Sequence, residues 1–179
     1  LHLMRLRESN GLGSFLGGRI ELFPHQLHVA EVAPAELPVR WLLADEVGLG
    51  KTVEACLILN HLVQTADVDR VLVVAPRALV VQWLGELYRK FHQVFVLVDD
   101  DRRQDVRREQ GPGFNPFDVY GKAVVALEDL VEDAALARLA TAANPDLVVV
   151  DEAHRLRRRK GTAGSPEYRT IAPLCETAE

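Results

Sequence analysis

Two short stretches of the chain concentrate the residue types that could do chemistry. Residues 45–52 read DEVGLGKT. A phosphate-binding loop of the form GxxxxGK[ST] needs glycines so that the backbone can curl and aim successive N–H groups at an anion. Gly48, Gly50, Lys51 and Thr52 meet that need, while Asp45 stands where the general pattern has its first glycine. The nucleotide-binding candidates are therefore Asp45, Glu46, Val47, Gly48, Leu49, Gly50, Lys51 and Thr52. Lys51 supplies a positive charge for the β- and γ-phosphates, and the Thr52 hydroxyl is a ligand for Mg²⁺. A helix starting at this point adds the partial positive charge of its N-terminus. The bland alternative is a chance GKT in a tight turn.

Residues 147–154 read LVVVDEAH. Four apolar residues ending in two acids are how a buried strand delivers an aspartate to its C-terminal edge, where ligands of parallel sheets sit. Asp151 would hold Mg²⁺, directly or through water, and Glu152 would orient and deprotonate the attacking water. A helix N-cap followed by a capping acid would explain the Asp-Glu pair but not the whole arrangement. Lys51 and Asp151 stand 100 residues apart. Together the two stretches make Lys51, Asp151 and Glu152 the catalytic candidates of a nucleotide-hydrolysing site, with Thr52 and Asp151 as its metal ligands. His154 is either a structural histidine after the turn or a link from the γ-phosphate to neighbouring parts.

The surrounding pattern supplies elements to position these residues. Short apolar runs at 40–44, 71–75, 94–98, 123–127 and 147–150 alternate with helical spacing at 52–64, 79–91 and about 127–143. Strands apolar on both faces and separated by helices imply crossover connections and a parallel sheet covered on both sides. The expected fold class is α/β, with helices flanking a central parallel sheet. Glycines 11, 13, 17 and 18 lie among few periodic apolar positions, so residues 1–19 read as a flexible lead-in or the remnant of a preceding domain. Residues 99–110 (DDDRRQDVRREQ) read as a solvated helix with internal ion pairs, then a surface loop at 111–117, or else as a partner-docking surface. Trp83 is either a stacking platform for bases or, by its register with Leu79, Leu87 and Phe91, a core residue. The basic run Arg155, Arg157, Arg158, Arg159 and Lys160 either pairs with phosphates or forms a solvated loop.

Composition narrows the class. The 179 residues are 48% hydrophobic and 26% charged, which is ordinary for a globular domain. No apolar run reaches the ~18 residues of a spanning helix, and the first residues lack a signal-peptide layout, so neither membrane insertion nor export is expected. Cys56 and Cys175 lie outside any CxxC spacing, which excludes a disulfide scaffold and a cysteine-rich zinc site and suits a reducing cytoplasm. A net charge of −5 makes bulk-charge coating of DNA a poor reading, so nucleic-acid contact would have to be local.

The combination of DEVGLGKT with DEAH resembles the first motor lobe of superfamily 2 helicases and translocases, where Asp-Glu commonly opens the phosphate loop. On that resemblance the misfit at Asp45 becomes a match. PHQ at residues 24–26 is similar to the family's glutamine motif, which implies that Gln26 reads adenine and that ATP is the nucleotide. Residues 73–83 (VVAPRALVVQW) are similar to the segment that carries nucleic-acid contact after the second core strand. The whole points to the Snf2 branch, and VDDDR at 98–102 and NPFD at 115–118 resemble its bacterial RNA-polymerase-associated ATPases.

The resemblance implies a RecA-like lobe over residues 20–179 that uses ATP and Mg²⁺. It implies duplex DNA as partner, RNA polymerase as a further one, and a cytoplasmic, nucleoid-associated location in a bacterium. The family's Ser/Thr-Ala-Thr motif and second lobe are not reached by Glu179, so the expectation is an incomplete first lobe, monomeric and near-inactive on its own. Two other readings remain: a P-loop kinase or signalling NTPase, and a docking module that only binds nucleotide.

Overall fold

Four of the expected apolar runs pair into one parallel sheet, and the fifth does not. The computed structural model describes residues 23–33, 39–44, 50–66 and 68–178. The chain divides into two units, Leu1–Val68 with Gly85–Val94, and Asp69–Leu84 with Phe95–Glu179. The expectations for residues 1–19 and for Asp45, Glu46, Val47, Gly48 and Leu49 fall outside the described residues.

The second unit holds the sheet, in the order β2-β3-β1-β4. Its strands are β1 (Val71–Ala75), β2 (Val96–Leu97), β3 (Lys122–Ala126) and β4 (Leu147–Val150). β1 is central, parallel to β3 on one side and to β4 on the other, with Val74 opposite both Val125 and Val150. All five of its residues are buried, as a strand flanked on both edges and both faces requires. Leu72 and Val74 share a face with Ala123 and Val125. That face packs on Leu127, Leu130, Leu136, Ala140, Ile171 and Leu174, contributed by the helices α6 (Leu127–Glu132), α7 (Ala134–Ala142) and α8 (Pro166–Thr177).

Three expectations need correction. Residues 40–44 form no strand: they are outside the sheet, with Trp41 42% and Leu42 74% exposed. A strand exists only by pairing, and a five-residue apolar run cannot sustain one without a ladder. The run at 94–98 contributes only two strand residues. The single helix expected over about 127–143 is two, because Asp133 takes an extended backbone and accepts hydrogen bonds from Ala135 N–H (2.8 Å) and Leu136 N–H (3.1 Å). An aspartate able to cap competes with helix continuation.

The charged stretch is a helix, α4 (Asp100–Glu109), capped by Asp99 and laced by the Arg103–Asp100 pair at 2.9 Å. The segment after it is more than a surface loop. Asn115 caps a short helix, α5 (Pro116–Val119), and both Pro116 and Phe117 are buried. Asp146 Oδ2 accepts from the backbones of Asp69 and Arg70 at 3.0 and 2.8 Å, which aligns the start of β1 with that of β4.

In the first unit, α1 (Pro24–Val32) packs on α2 (Lys51–Thr65). α2 buries Cys56, Leu57, Ile58, Leu59 and Leu62, and burial pushes the Cys56 thiol far up, leaving it inert. Between the strands, a 3-10 turn (Arg77–Leu79) runs directly into α3 (Val80–Phe91).

Asp133 also pairs with Arg103 at 2.8 Å, and its carboxyl titrates below the usual range, chiefly because Leu136 N–H bonds to it. Asp133→Ala is expected to lower unfolding free energy by about 1–2 kcal/mol at neutral pH, read as a lower urea midpoint. A depressed pKa in the folded state means this contribution is complete above the ordinary carboxylate value. It is lost as pH falls through the depressed one, so wild type and variant converge in acid.

Candidate functional site

The candidate residues fall in both units. In the first, Gly50 takes a left-handed backbone (φ 86°) and begins α2, its carbonyl accepting from Val53 and Glu54 N–H at 2.8 and 3.1 Å. Lys51 and Thr52 are therefore the first two helical residues, where N–H groups that have no acceptor within the helix itself, and the helix dipole, favour an anion. Gln26 lies against this turn. It is 2% exposed, its Oε1 accepts from Phe23 N–H at 3.2 Å, and a Cβ built on Gly50 would come within 2.7 Å of its Nε2. Pro24 at the first position of α1 and the Gln26 bond to Phe23 together fix how the chain enters this helix. His25 Nε2 stands 3.5 Å from Oε1 of the fully buried Glu54, a further tie between α1 and α2.

In the second unit, the end of β4 carries the acids. Asp151 N–H donates to Val74 O at 2.8 Å, extending the ladder one residue past the strand. The Asp151 carboxylate is then held on both oxygens: Trp83 Nε1–H donates to Oδ2 and Glu152 N–H to Oδ1, each at 2.8 Å. Glu152 is left-handed (φ 51°, ψ 42°) and precedes a 3-10 turn, Ala153–Arg155. Its carboxylate is 44% exposed, with His154 Nδ1 at 2.9 Å from Oε2. Non-glycine residues in this region cost about 1–3 kcal/mol and cluster at functional sites.

Trp83 is the core residue that its register allowed and also a hydrogen-bond donor, which neither alternative foresaw. It is 2% exposed, so it is no open stacking platform, yet its N–H orients the acid proposed to bind metal. A tryptophan needs a partner for that N–H when buried, which is the signal that sequence reasoning passed over. Glu128 was passed over too. It follows an apolar run just as Asp151 does, and its carboxylate accepts from Arg77 N–H (2.8 Å) and Arg155 Nη1 (2.7 Å). The basic run is not a uniform solvated loop. Arg155 faces Glu128, while Arg157, Arg158, Arg159 and Lys160 are exposed, Arg158 donating to Tyr168 OH at 2.7 Å and lying over the Tyr168 ring. Ser165 Oγ donates to Arg155 O at 3.2 Å and caps α8, fastening this loop to the helix that follows.

Carboxylate and hydroxyl oxygens are the hard donors that Mg²⁺ takes, usually one or two from protein and the rest from phosphate and water. Asp151 in the second unit and Thr52 in the first each carry a donor of that kind.

A parallel α/β sheet with acids at a strand end, and a glycine–lysine–threonine turn at a helix start, define a RecA-like nucleotide-binding lobe. The SNF2-related domain matches residues 25–166, and the chain belongs to that family. It is 40% identical over 159 residues to "RNA polymerase-associated protein RapA" of Actinobacillus succinogenes, covering 88% of this chain and 16% of that protein. It is also 40% identical over 178 residues to the protein of the same name from Pseudomonas fluorescens, covering 98% and 18%. The chain thus spans about a sixth of these relatives' length. Among solved structures, the fold matches "Sulfolobus solfataricus SWI2/SNF2 ATPase core in complex with dsDNA" with a TM-score of 0.70 and 19% identity, over 89% of this chain and 31% of that one. No helix among the described residues is long and apolar enough to cross a membrane.

Gly50→Ala is expected to destabilise the protein twice over, through its left-handed backbone, about 1–2 kcal/mol, and through the clash with Gln26. In a Gln26→Ala background only the backbone part should remain. Thermal unfolding of the two single variants and the double variant checks this, and strict additivity would show that Gln26 does not press on the turn.

Proposed function

We propose that this chain is the ATP-binding lobe of an ATP-dependent translocase that hydrolyses ATP to move on double-stranded DNA, acting with RNA polymerase in the bacterial cytoplasm. The observation that carries the reading is the contact of Gln26 with Gly50, which puts an amide suited to adenine beside the lysine turn suited to phosphates. An amide can donate and accept at once, matching the N6 and N7 edge of adenine. The relatives named RNA polymerase-associated support polymerase as a partner, and the SWI2/SNF2 core solved in complex with dsDNA supports the choice of duplex DNA.

In this reading Lys51 and the 45–52 backbone bind the phosphates, and Thr52 and Asp151 hold Mg²⁺, whose charge offsets that developing on the transferred phosphoryl group. Trp83 N–H and Glu152 N–H fix the Asp151 carboxylate so that its remaining lone pairs have one direction. Glu152 takes a proton from the attacking water. Its contact with His154 gives His154 a defined part, a hydrogen-bond partner that must yield or turn when the carboxylate engages water. The exposed Arg77 guanidinium, side chain 55% accessible, lies in the segment after β1 that would meet the DNA backbone. Acids surround it, which keeps any contact local, as the net charge of −5 requires.

Three variants of the full-length protein test the assignment. Glu152→Gln keeps shape and removes the base, so ATP still binds while turnover falls by about 10²–10⁴. Lys51→Ala weakens triphosphate binding itself. Gln26→Ala weakens ATP by about tenfold, the worth of one or two hydrogen bonds, and leaves GTP binding unchanged. Equal loss for both nucleotides would remove Gln26 from the adenine role, and undiminished turnover in Glu152→Gln would remove the base.

A further inference from the structure

The C-terminal edge of the sheet carries a closed circuit of hydrogen bonds. Glu128, in the first turn of α6 just after β3, accepts Arg77 N–H on Oε2 (2.8 Å) and Arg155 Nη1 on Oε1 (2.7 Å). Arg77 opens the 3-10 turn that runs into α3, and six residues on, α3 presents Trp83, whose Nε1–H bonds to Asp151 Oδ2 at 2.8 Å. Asp151 leads through Glu152 and the 3-10 turn Ala153–Arg155 back to the guanidinium on Glu128. The segment after β1 is thus fastened to the loop after β4 at two points, one direct and one through Glu128.

We propose that Glu128 is a positioning residue that ties the segment after β1 to the hydrolytic loop after β4, so that a ligand engaging Arg77 shifts Asp151 and Glu152 with it. Glu128 touches neither nucleotide nor metal in this role. The Arg77 guanidinium is held separately, by Asp129 at 2.6 Å and Glu132 at 3.0 Å. An anion that draws this guanidinium away from those acids therefore pulls on the same backbone N–H that Glu128 holds. Burial works against ionisation of Glu128, but bonds from Arg155, from its own amide and from Arg77 outweigh it, and the carboxyl titrates below the usual range. It is an anion at working pH, with one oxygen for each loop. No neutral side chain replaces it. In glutamine one of the two acceptor atoms becomes a donor, and either Arg77 N–H or the Arg155 guanidinium then faces a like group.

The proposal rests on the reading of Asp151 and Glu152 as the hydrolytic pair, and the test separates the two. In the full-length protein, ATP turnover is measured with and without duplex DNA for wild type, Glu128→Gln, Arg155→Met, the double variant and Arg155→Lys, with ATP and duplex affinities measured in parallel. The expected result for Glu128→Gln is a fall of at least about fivefold in the ratio of DNA-stimulated to basal turnover. ATP KM and duplex affinity stay within about twofold of wild type. Arg155→Met gives the same loss, the double variant gives no more than either single one, and Arg155→Lys, which keeps a charged donor, recovers most of it.

A Glu128→Gln protein that responds to duplex like the wild type overturns the coupling role. So does a defect confined to ATP KM, since a tie between loops has no reason to act on affinity alone. A wild-type protein indifferent to duplex overturns the functional reading itself, and the tie with it.

Discussion

The arrangement of this lobe hangs on the Asp151 carboxylate being held by N–H donors on both of its oxygens. A carboxylate at the end of an edge strand would otherwise sample several rotamers, and a metal ligand that wanders binds weakly. Hydrogen bonds to a charged group are worth about 1.5–3 kcal/mol each, enough to offset a strained turn. One donor is the amide of Glu152, available because that residue adopts a left-handed backbone. The other is an indole from α3, available because α3 begins almost at once after the central strand. Lengthening the link between β1 and α3 by a few residues would carry Trp83 off the acid.

The same economy runs along the sheet edge. β1, β3 and β4 are each followed within two residues by a charged one, Arg77, Glu128 and Asp151. In a parallel sheet these ends lie side by side, so residues distant in sequence become hydrogen-bond partners without any loop having to reach across. Arg155 pairs with Glu128, and Arg77 with Asp129 and Glu132, which keeps each side chain placed while the edge stays acidic in sum. Fastening the start of β1 to β4 through Asp146 at the opposite end completes the frame.

Much of this was legible beforehand, and the reasons differ by residue. β1 and β4 were readable because an apolar run ended by proline or by two acids has few alternatives as anything but a buried strand. α2 and α3 showed their helical spacing plainly. The run at 40–44 misled because apolar content signals burial but not a pairing partner. Asp133 was passed over because capping is a competition between one side chain and the helix, and periodicity sees only the helix. Trp83 was weighed as core or platform, two apolar roles, so the N–H escaped notice. Glu128 carried the same signature as Asp151, an acid after an apolar run, but without a second motif beside it nothing singled it out. For Gln26, the resemblance of PHQ to a known motif supplied what composition could not.

Glu152 is asked for two things that no single residue type provides together. Its backbone has φ 51°, a region where glycine rests without penalty and asparagine or aspartate with little. Its side chain must carry an acid far enough out to meet His154, which glycine cannot do at all and aspartate does one methylene short. Glycine at this position would relax the turn and, on the proposed reading, remove the base, so the acid is kept at the fold's expense. Glycine relieves the backbone and removes the acid, aspartate relieves it and shortens the reach, and glutamate keeps both the reach and the strain.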